Sequence, residues 1–241
     1  MPRLDVIVTT SGLAESRERA QALILAGKVR VAGETVRKPD RAVSADAAIT
    51  VESGPDFASR GALKLGPALD TFAVDPQGRV CADIGASTGG FTDVLLRRGA
   101  AKVYAIDVGR GLIHWRLRQD PRVVVIERVN ARGLETFPEP VALVVVDLSF
   151  IGLEKVLPAL KLAANGAEMV VLFKPQFEVG RNDVGKGGIV RDPEVVEAAL
   201  RKFRDWCASN GFLVAGQARS ELTGAEGNQE FFFHLNPQVH G

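Results

Sequence analysis

The stretch that most constrains this chain is Arg79 to Phe91, which reads RVCADIGASTGGF. An apolar run ends on a carboxylate at Asp83, a loop of small residues follows, and an amphipathic run begins at Phe91. This order predicts a buried strand, a tight turn and the start of a helix. Glycines let the turn pass close to a ligand, and the free N–H groups of the helix N-terminus face that ligand. Half-folds of this type bind adenosine-containing cofactors.

A second apolar run, Val103 to Asp107, also ends on a carboxylate, about 20 residues beyond the loop, where an acid reaches ribose hydroxyls in this class of fold. A dinucleotide site would have G-x-G-x-x-G at the loop. The sequence D-I-G-A-S-T-G-G resembles instead the nucleoside-binding loop of S-adenosylmethionine-dependent methyltransferases. That resemblance implies S-adenosylmethionine as cofactor, with a nicotinamide as the alternative. The residues predicted to bind the cofactor are Asp83, Gly85, Ala86, Ser87, Thr88, Gly89, Gly90, Phe91, Asp107 and Val108.

Length and composition limit the class of protein. The 241 residues can hold one α/β domain and a small additional module. The net charge is only +1, so a nucleic-acid surface has to come from local clustering of basic residues. The longest apolar runs, 141–146 and 169–173, are too short to span a bilayer, and no export signal is recognised. Cys81 and Cys207 have no metal-binding spacing, and we predict no metal site. With neither a spanning run nor an export signal recognised, we predict a cytoplasmic protein without membrane association.

Residues 1–58 are predicted to form a separate unit, with a helix over 16–27 followed by short strands. The phrases RLD, ESRERAQALILAGKVRVAG and VRKPDRAVSADAAITV resemble the S-four-type RNA-binding domain, which implies an RNA partner. Between positions 3 and 41, eight Lys and Arg residues stand against five acids, an excess that favours contacts with phosphates. In this unit and beyond it, the residues predicted to contact RNA are Arg3, Arg17, Arg19, Lys28, Arg30, Lys38, Arg60, Arg181 and Lys186.

Residues 59–78 are predicted to be the interdomain linker and the start of the catalytic region, which continues over 79–241. There, strand and helix patterns alternate, which predicts a parallel sheet covered by helices on both faces. Strands are expected near 79–84, 102–107, 122–126, 141–147, 167–173, 212–218 and 229–235. Helices are expected near 90–99, 111–118, 150–163 and 192–209. Only a loop joins the last two strands, so the final strand is predicted to be antiparallel at or near an edge. The predicted fold class is α/β, a Rossmann-like seven-stranded methyltransferase sheet with a small N-terminal α+β S-four-type RNA-binding domain.

Charged residues stand where strands of this sheet end or begin. Asp147 closes the fourth strand in VVVDLSF, Lys174 closes the fifth in LFKPQFE, and Glu230 begins the last in GNQEF. Ligands of open α/β sheets bind outside the carboxyl ends of the strands, so Asp147 and Lys174 are expected at the same crevice as the glycine-rich loop. Each of these residues alone would be an ordinary charge at a strand end. Together with Lys64 they predict a catalytic set.

The motifs SRGALKL, DIGASTGGF, WRLRQDPRV, VDLSFI, LFKPQFEVG, KGGIVRD and GNQEF resemble those of the TlyA family, also called haemolysin A, over essentially the whole chain. The family has a catalytic domain of the FtsJ type. The resemblance implies S-adenosylmethionine-dependent 2'-O-methylation of cytidines in ribosomal RNA, with ribosomal RNA and ribosomal subunits as partners. By motif position, the residues that correspond to the family's catalytic tetrad are Lys64, Asp147, Lys174 and Glu230. The stretch 109–114 departs from the family's wording, which weakens the assignment of contacts there.

Chemistry gives this tetrad a role. A ribose hydroxyl is a poor nucleophile, and displacement at a sulfonium methyl needs it aligned and partly deprotonated. A lysine acts as base only if its pKa falls from about 10.4 toward 7–8. We assign Lys174 as the base and Lys64 as its helper, and we expect Asp147 and Glu230 to orient the lysines. The segment 175–191 is predicted to be a lid over the substrate.

Three other functions remain open from the sequence. A non-catalytic RNA-binding or ribosome-assembly factor would keep this fold as a scaffold but has no need for the tetrad. A membrane-active haemolysin would need an amphipathic basic helix or an export signal, neither of which is recognised. A nicotinamide oxidoreductase would bind NAD in place of S-adenosylmethionine.

Overall fold

Two compact units, Met1–Asp56 and Phe57–Gly241, make up the computed structural model of the chain. The structure describes residues 1–14, 16–44, 46–51, 58–59, 61–224 and 227–238, without the side chains of residues 19 and 181. The sequence had predicted a boundary at residue 58, with the interdomain linker and the start of the catalytic region over 59–78. In the structure, residues 62–72 of that stretch form a helix that packs within the second unit.

The first unit combines two helices with a small antiparallel sheet. Its elements are α1 (Leu4–Thr10), α2 (Arg17–Leu25), β1 (Val29–Val31), β2 (Glu34–Val36) and β3 (Ile49–Val51). Among the described residues, β1 lies between β2 and β3 and pairs with both. Apolar side chains of the helices, among them Leu4, Val8 and Ile24, pack with Val29 and Val36 of the sheet. Helix α1 was not predicted from the sequence, because its seven residues are too few to show a helical period.

The second unit is built on a twisted mixed sheet. Its strands are β4 (Val80–Ile84), β5 (Lys102–Asp107), β6 (Val123–Glu127), β7 (Leu143–Val146), β8 (Glu168–Phe173), β9 (Phe212–Arg219) and β10 (Phe231–Pro237). Within the described residues, these seven strands lie in the order β6-β5-β4-β7-β8-β10-β9. Strands β4 to β8 pair in parallel, whereas β10 lies antiparallel between β8 and the edge strand β9. The predicted α/β sheet with a final antiparallel strand near an edge is confirmed.

Helices cover both faces of this sheet. They are α3 (Ala62–Phe72), α4 (Gly90–Arg97), α5 (Trp115–Gln119), α6 (Leu157–Ala163), α7 (Pro175–Glu178) and α8 (Pro193–Ser209). Successive strand residues point to opposite faces. In β7, Val144 packs in one apolar cluster with α6 and α8, whereas Val145 packs in the other with α3 and α4. Burial on both faces explains why these strands read as continuous apolar runs.

Two predicted helices begin later than expected. The helix predicted over 111–118 begins at Trp115, because Gly111 adopts a φ of +68° and His114 caps the helix by accepting a hydrogen bond from the Arg116 N–H. The helix predicted over 150–163 begins at Leu157, after a short 3-10 turn over Leu153–Lys155. A proline in its first turn is compatible with that start, since the N–H it lacks would have no partner inside the helix.

Candidate functional site

The glycine-rich loop leaves β4 in close contact with the end of β7. Gly85 has a φ of +82°, and its N–H donates to the Ile106 carbonyl at 2.9 Å. A Cβ atom at Gly85 would lie 2.2 Å from the Asp147 carbonyl oxygen, so any other residue would separate the two segments. Glycine is therefore required both by the backbone conformation and by the approach of the strand end that carries Asp147.

A cavity of about 790 Å³ opens beside this loop. Its walls come from the loop, the start of α3 and the segment that precedes β10. The residues that line it include Lys64, Asp83, Gly85, Ala86, Ser87, Thr88, Gly90, Phe91, Asp147 and Leu222. The cavity therefore brings together most of the predicted loop residues with two members of the predicted tetrad. Of the other predicted loop residues, Gly89 caps α4 in the left-handed conformation, and Val108 is 71% exposed outside the cavity.

Lys174 and Asp147 form an ion pair at the carboxyl edge of the sheet. The Lys174 Nζ atom lies 2.5 Å from Asp147 Oδ1 and donates a hydrogen bond to Ser149 Oγ at 3.2 Å. The Lys174 side chain is 9% exposed. Because β7 and β8 are parallel neighbours, the residues that follow them emerge at the same edge, as the sequence had predicted.

Lys64 and Glu230 form the second pair. The Lys64 Nζ atom lies 2.6 Å from Glu230 Oε2, and the Glu230 side chain is only 3% exposed. β10 runs antiparallel to β8 with Phe231 opposite Phe173, so Glu230 lies beside the strand end that carries Lys174. All four predicted catalytic residues thus meet at one edge, as two lysine–carboxylate pairs.

Asp83 is fully buried and incompletely hydrogen-bonded. Its Oδ2 atom accepts from the Thr92 N–H at 2.8 Å and from the Thr92 hydroxyl at 2.7 Å. Its Oδ1 atom has no hydrogen-bond partner among the described residues. Burial raises the pKa of the Asp83 carboxyl to about 7, and the nearby Asp147 and Asp107 charges add to that effect, while the Thr92 hydrogen bonds oppose it. An under-satisfied buried carboxyl on a cavity wall is a group that can receive a donor from a ligand.

Asp107 shapes the loop from the neighbouring strand. Its two carboxylate oxygens accept from the Ser87 N–H at 2.8 Å and from the Gly109 N–H at 2.7 Å. The carboxylate does not line the cavity beside the loop. It lies at the end of β5, next to the loop residues that do.

Three residues that the sequence did not single out organise the segments around the Lys174 pair. Ser149 accepts from the Lys174 amine. Phe150 is 92% exposed at a φ of +65° and lies with its ring centroid 5.2 Å from that of Phe177. Glu178 accepts from the Leu153 N–H at 2.8 Å, and burial raises the pKa of its carboxyl to about 7. Ser149 and Phe150 could have been found from the sequence because they closely follow Asp147. They were missed because only the charged residue that closes each strand was considered.

The segment 175–191 contains more structure than a connecting loop. It holds α7 and a 3-10 turn over Arg181–Asp183. The buried Asn228 amide donates to the Gly188 carbonyl at 2.8 Å and accepts from the Val190 N–H at 3.0 Å. Asn228 therefore ties this segment to the residues that lead into Glu230. The predicted lid function stays a prediction.

The residues predicted to contact RNA are placed as follows. Arg3 and Arg17 both bind the buried carboxylate of Asp5, while their own side chains are 48% and 52% exposed. The residues Lys28, Arg30, Lys38 and Lys186 are exposed. Arg60 and the side chains of Arg19 and Arg181 lie outside the described residues. The exposed cations of the first unit are thus compatible with contacts to a polyanion.

Neither a metal-binding cluster nor a membrane-spanning helix occurs in the described ranges. No cluster of three or more His, Cys, Asp or Glu side chains there could hold a metal ion. No helix within those same ranges combines the length and apolar composition needed to cross a membrane.

Comparison with known families matches two models to this chain. Residues 57–237 match the FtsJ-like methyltransferase model, and residues 2–49 match the S4 domain model. The two matches together follow the two units of the structure.

Individual proteins match over nearly the full chain. The 16S/23S rRNA (cytidine-2'-O)-methyltransferase TlyA of Mycobacterium tuberculosis is 50% identical over 98% of this chain and 90% of its own length. Hemolysin A of Brachyspira hyodysenteriae is 42% identical over 97% of this chain and 99% of its own length. A solved structure from Streptococcus thermophilus with a hemolysin-type name has a TM-score of 0.76 at 40% identity, covering 98% of this chain and 88% of that one.

Proposed function

This chain belongs to the FtsJ-like methyltransferase family and carries an S4 domain, and we propose that it methylates the 2'-hydroxyl of cytidines in ribosomal RNA with S-adenosylmethionine as donor. The resemblance to the TlyA family stated from its motifs is confirmed. The observation that carries the proposal is the convergence of two lysine–carboxylate pairs on the cavity beside the glycine-rich loop. Such a protein acts where ribosomes are assembled, which supports a cytoplasmic location.

The residues that line the cavity are compatible with S-adenosylmethionine. Gly85 to Thr88 and Asp83 all line it, and the buried Asp83 Oδ1 atom has no hydrogen-bond partner in the described residues. A carboxylate there complements the positive charge of the methionine end of the cofactor. Asp107 lies where an acid reaches ribose hydroxyls in this class of fold. When bound, the cofactor supplies an electrophilic methyl group.

The tetrad then has to align and deprotonate the ribose hydroxyl. Lys174 is buried, and its amine is held by Asp147 and Ser149 at 2.5 and 3.2 Å. To act as base, Lys174 has to be neutral when the substrate is bound. It would then take the proton from the 2'-hydroxyl as the bond between that oxygen and the methyl group forms and the methyl–sulfur bond of the donor breaks, with the neutral sulfide as leaving group. Asp147 stabilises the ammonium that results. Lys64, held by Glu230, contributes positive charge near the developing alkoxide.

Phe150 supports RNA as the substrate. A bulky residue at positive φ is strained, and a 92% exposed aromatic ring loses the benefit of burial. Stacking of the ring on an unpaired base would offset both costs, and proteins commonly make sequence-specific contacts to RNA in this way. Its position directly after Ser149 puts such a base beside the Lys174 pair.

Variants at Lys174 test the proposal. Lys174→Ala removes the proton acceptor but leaves the glycine-rich loop in place. We expect cofactor binding by calorimetry within a few-fold of wild type and a loss of 10²–10⁴ in methyl transfer, the range typical of a positioned acid–base group. Transfer is measured on ribosomal RNA from a strain that lacks the modification, with 2'-O-methylated positions mapped. Lys202→Ala, an exposed lysine on α8, is the matched control.

Lys174→Arg separates the base from a purely electrostatic role, since guanidinium stays protonated at any usable pH. We expect this variant to be as inactive as Lys174→Ala. Near wild-type methyl transfer by Lys174→Arg would show that Lys174 acts through its positive charge and not as a base. A wild-type protein that binds NAD and not S-adenosylmethionine, or that methylates no ribose, would overturn the proposed function as a whole.

A further inference from the structure

A second cavity of about 420 Å³ lies between α3 and α4, directly beside the catalytic cavity. Leu63 and Leu222 line both cavities, so the two share a wall. Apolar residues that also line the second cavity include Ala62, Pro67 and Val94, and its charged lining residues are Arg97, Arg98 and Glu221.

The second cavity forms a groove in front of Gly66, the residue of α3 that precedes Pro67. Gly66 presents no side chain toward α4, and a Cβ atom added there would meet only the Arg98 Nη2 atom, at 3.6 Å. That distance is an ordinary van der Waals contact, so the space in front of Gly66 is open. The absence of a side chain at one position of α3 leaves a gap that the packing of α3 on α4 does not fill.

The two leucines of the shared wall are partly exposed. Leu63 is 43% and Leu222 36% exposed. Adjacent exposed apolar side chains rimmed by charge mark a binding surface more often than isolated ones do. The two arginines that line the second cavity are also held in place, because Arg97 binds Asp93 and Arg98 binds Asp70.

The substrate of the proposed function is a polymer, so any nucleotide in the catalytic cavity carries covalent neighbours. Lys64 points to Glu230, and Leu63, the preceding residue on the same helix, faces the shared wall. Where the RNA chain leaves the catalytic cavity over this wall, its next base meets the apolar residues of the second cavity, with Arg97, Arg98 and Glu221 as the charged lining residues. Bases of single-stranded RNA are held by apolar or aromatic faces and by guanidinium planes.

We propose that the groove in front of Gly66 is a subsite for the base of a nucleotide adjacent to the methylated one. This inference rests on the proposed RNA methyltransferase function and adds a second recognition point to it. The groove contributes to RNA affinity and to the choice of target, not to cofactor binding or to the chemical step.

Filling the groove tests the subsite. Gly66→Leu places a side chain in the open space, and Gly66→Ala, which adds only the Cβ atom, is the matched control. Alanine has a higher helix propensity than glycine by about 1 kcal/mol, but a residue with a Cβ atom before Pro67 is disfavoured in a helix, so the stability of both variants is measured beside that of wild type. We expect Gly66→Leu to bind S-adenosylmethionine normally, to weaken RNA binding about tenfold, and to keep kcat within about twofold. Tenfold lies within the range of about 5- to 150-fold that the loss of one stacked base costs.

RNA fragments that lack one base beside the target nucleotide identify the ligand. For the wild type, removing the base at one of the two neighbouring positions should weaken binding about tenfold. In Gly66→Leu the same removal should have no further effect, because the subsite is already filled. Wild-type binding that is unchanged by both base removals would overturn the subsite even if Gly66→Leu failed to fold, and so would equal RNA affinity of Gly66→Leu and Gly66→Ala. Either result could occur with methyl transfer intact, which separates this inference from the proposed function.

Discussion

Among the described residues, one aspartate is fully buried in each unit, and the surroundings shift the pKa values of the two carboxyls in opposite directions. In the first unit, Asp5 accepts hydrogen bonds from Arg3, Arg17 and Gln21. These partners, with the Arg3 hydrogen bond as the largest influence, hold the pKa of Asp5 well below its usual range. In the second unit, burial raises the pKa of Asp83 to about 7.

The difference shows that the partners, and not burial alone, decide the charge state of a buried carboxyl. Asp5 remains charged and gathers two arginines whose side chains stay about half exposed. That arrangement presents cations to solvent and is compatible with binding a polyanion. Asp83 has donors on one oxygen only and lines a cavity, which is compatible with receiving a ligand.

The largest stability effect is expected on removing the carboxylate of the first unit. Asp5→Ala leaves Arg3, Arg17 and Gln21 without their shared acceptor in a small core, and we expect the free energy of unfolding of this unit to fall by about 2–3 kcal/mol. Circular dichroism follows both units, whereas tryptophan fluorescence follows the second alone, since Trp115 and Trp206 both lie there.

Glu34→Ala, an exposed acid on β2, is the control for this variant. For Asp5→Ala, we expect part of the circular dichroism signal to be lost at a lower denaturant concentration than in wild type. The unfolding transition followed by tryptophan fluorescence should not shift. Equal stability of Asp5→Ala and Glu34→Ala would show that the buried carboxylate does not hold the first unit together.

A slightly smaller, pH-dependent effect is expected at Asp83. Its folded-state pKa of about 7 lies above the unfolded value of 3.8, so the folded chain binds this proton more tightly. The resulting contribution to stability is present below about pH 4 and is lost as the pH rises through 7. Asp83→Asn cannot titrate, so its stability relative to wild type should increase by about 2 kcal/mol between pH 5 and pH 8.

Urea unfolding followed by tryptophan fluorescence at both pH values measures this difference. Asp70→Asn is the control, because Asp70 is exposed and its pKa is lowered by the Arg98 hydrogen bond. A stability difference between Asp83→Asn and wild type that does not change with pH would mean that Asp83 is charged throughout, like Asp5.

The smallest effect is expected at exposed lysines of the first unit. If Lys28 and Lys38 contact phosphates, the double change to glutamine should weaken ribosomal RNA binding a few-fold and leave kcat unchanged. The salt dependence should become shallower, with the slope of log K against log salt reduced by about 1.8, or 0.9 for each contact. Lys202→Gln on α8 is the control. An unchanged slope in the double variant would remove these lysines from the RNA surface and weaken the contrast between the two units.

Much of the second unit could be predicted locally. A strand, a glycine-rich turn and a helix follow from the residues of 79–91 themselves, because turn chemistry and hydrophobic period act between near neighbours in sequence. The meeting of Asp147 with Lys174 also follows, since parallel neighbouring strands end at the same edge. The boundaries of α5 and α6 were less predictable, because glycine conformation and capping set them.

The sequence by itself determined the two units, the parallel sheet, the final antiparallel strand and the residue types at the cavity. Only the tertiary structure decided which lysine binds which carboxylate: Lys64 and Glu230 are 166 positions apart and meet because β10 returns beside β8. The same holds for the unpaired oxygen of Asp83 and for the open groove at Gly66. The physical reason is that partners and gaps depend on segments distant in the chain, which local patterns of hydrophobicity and turn residues do not specify.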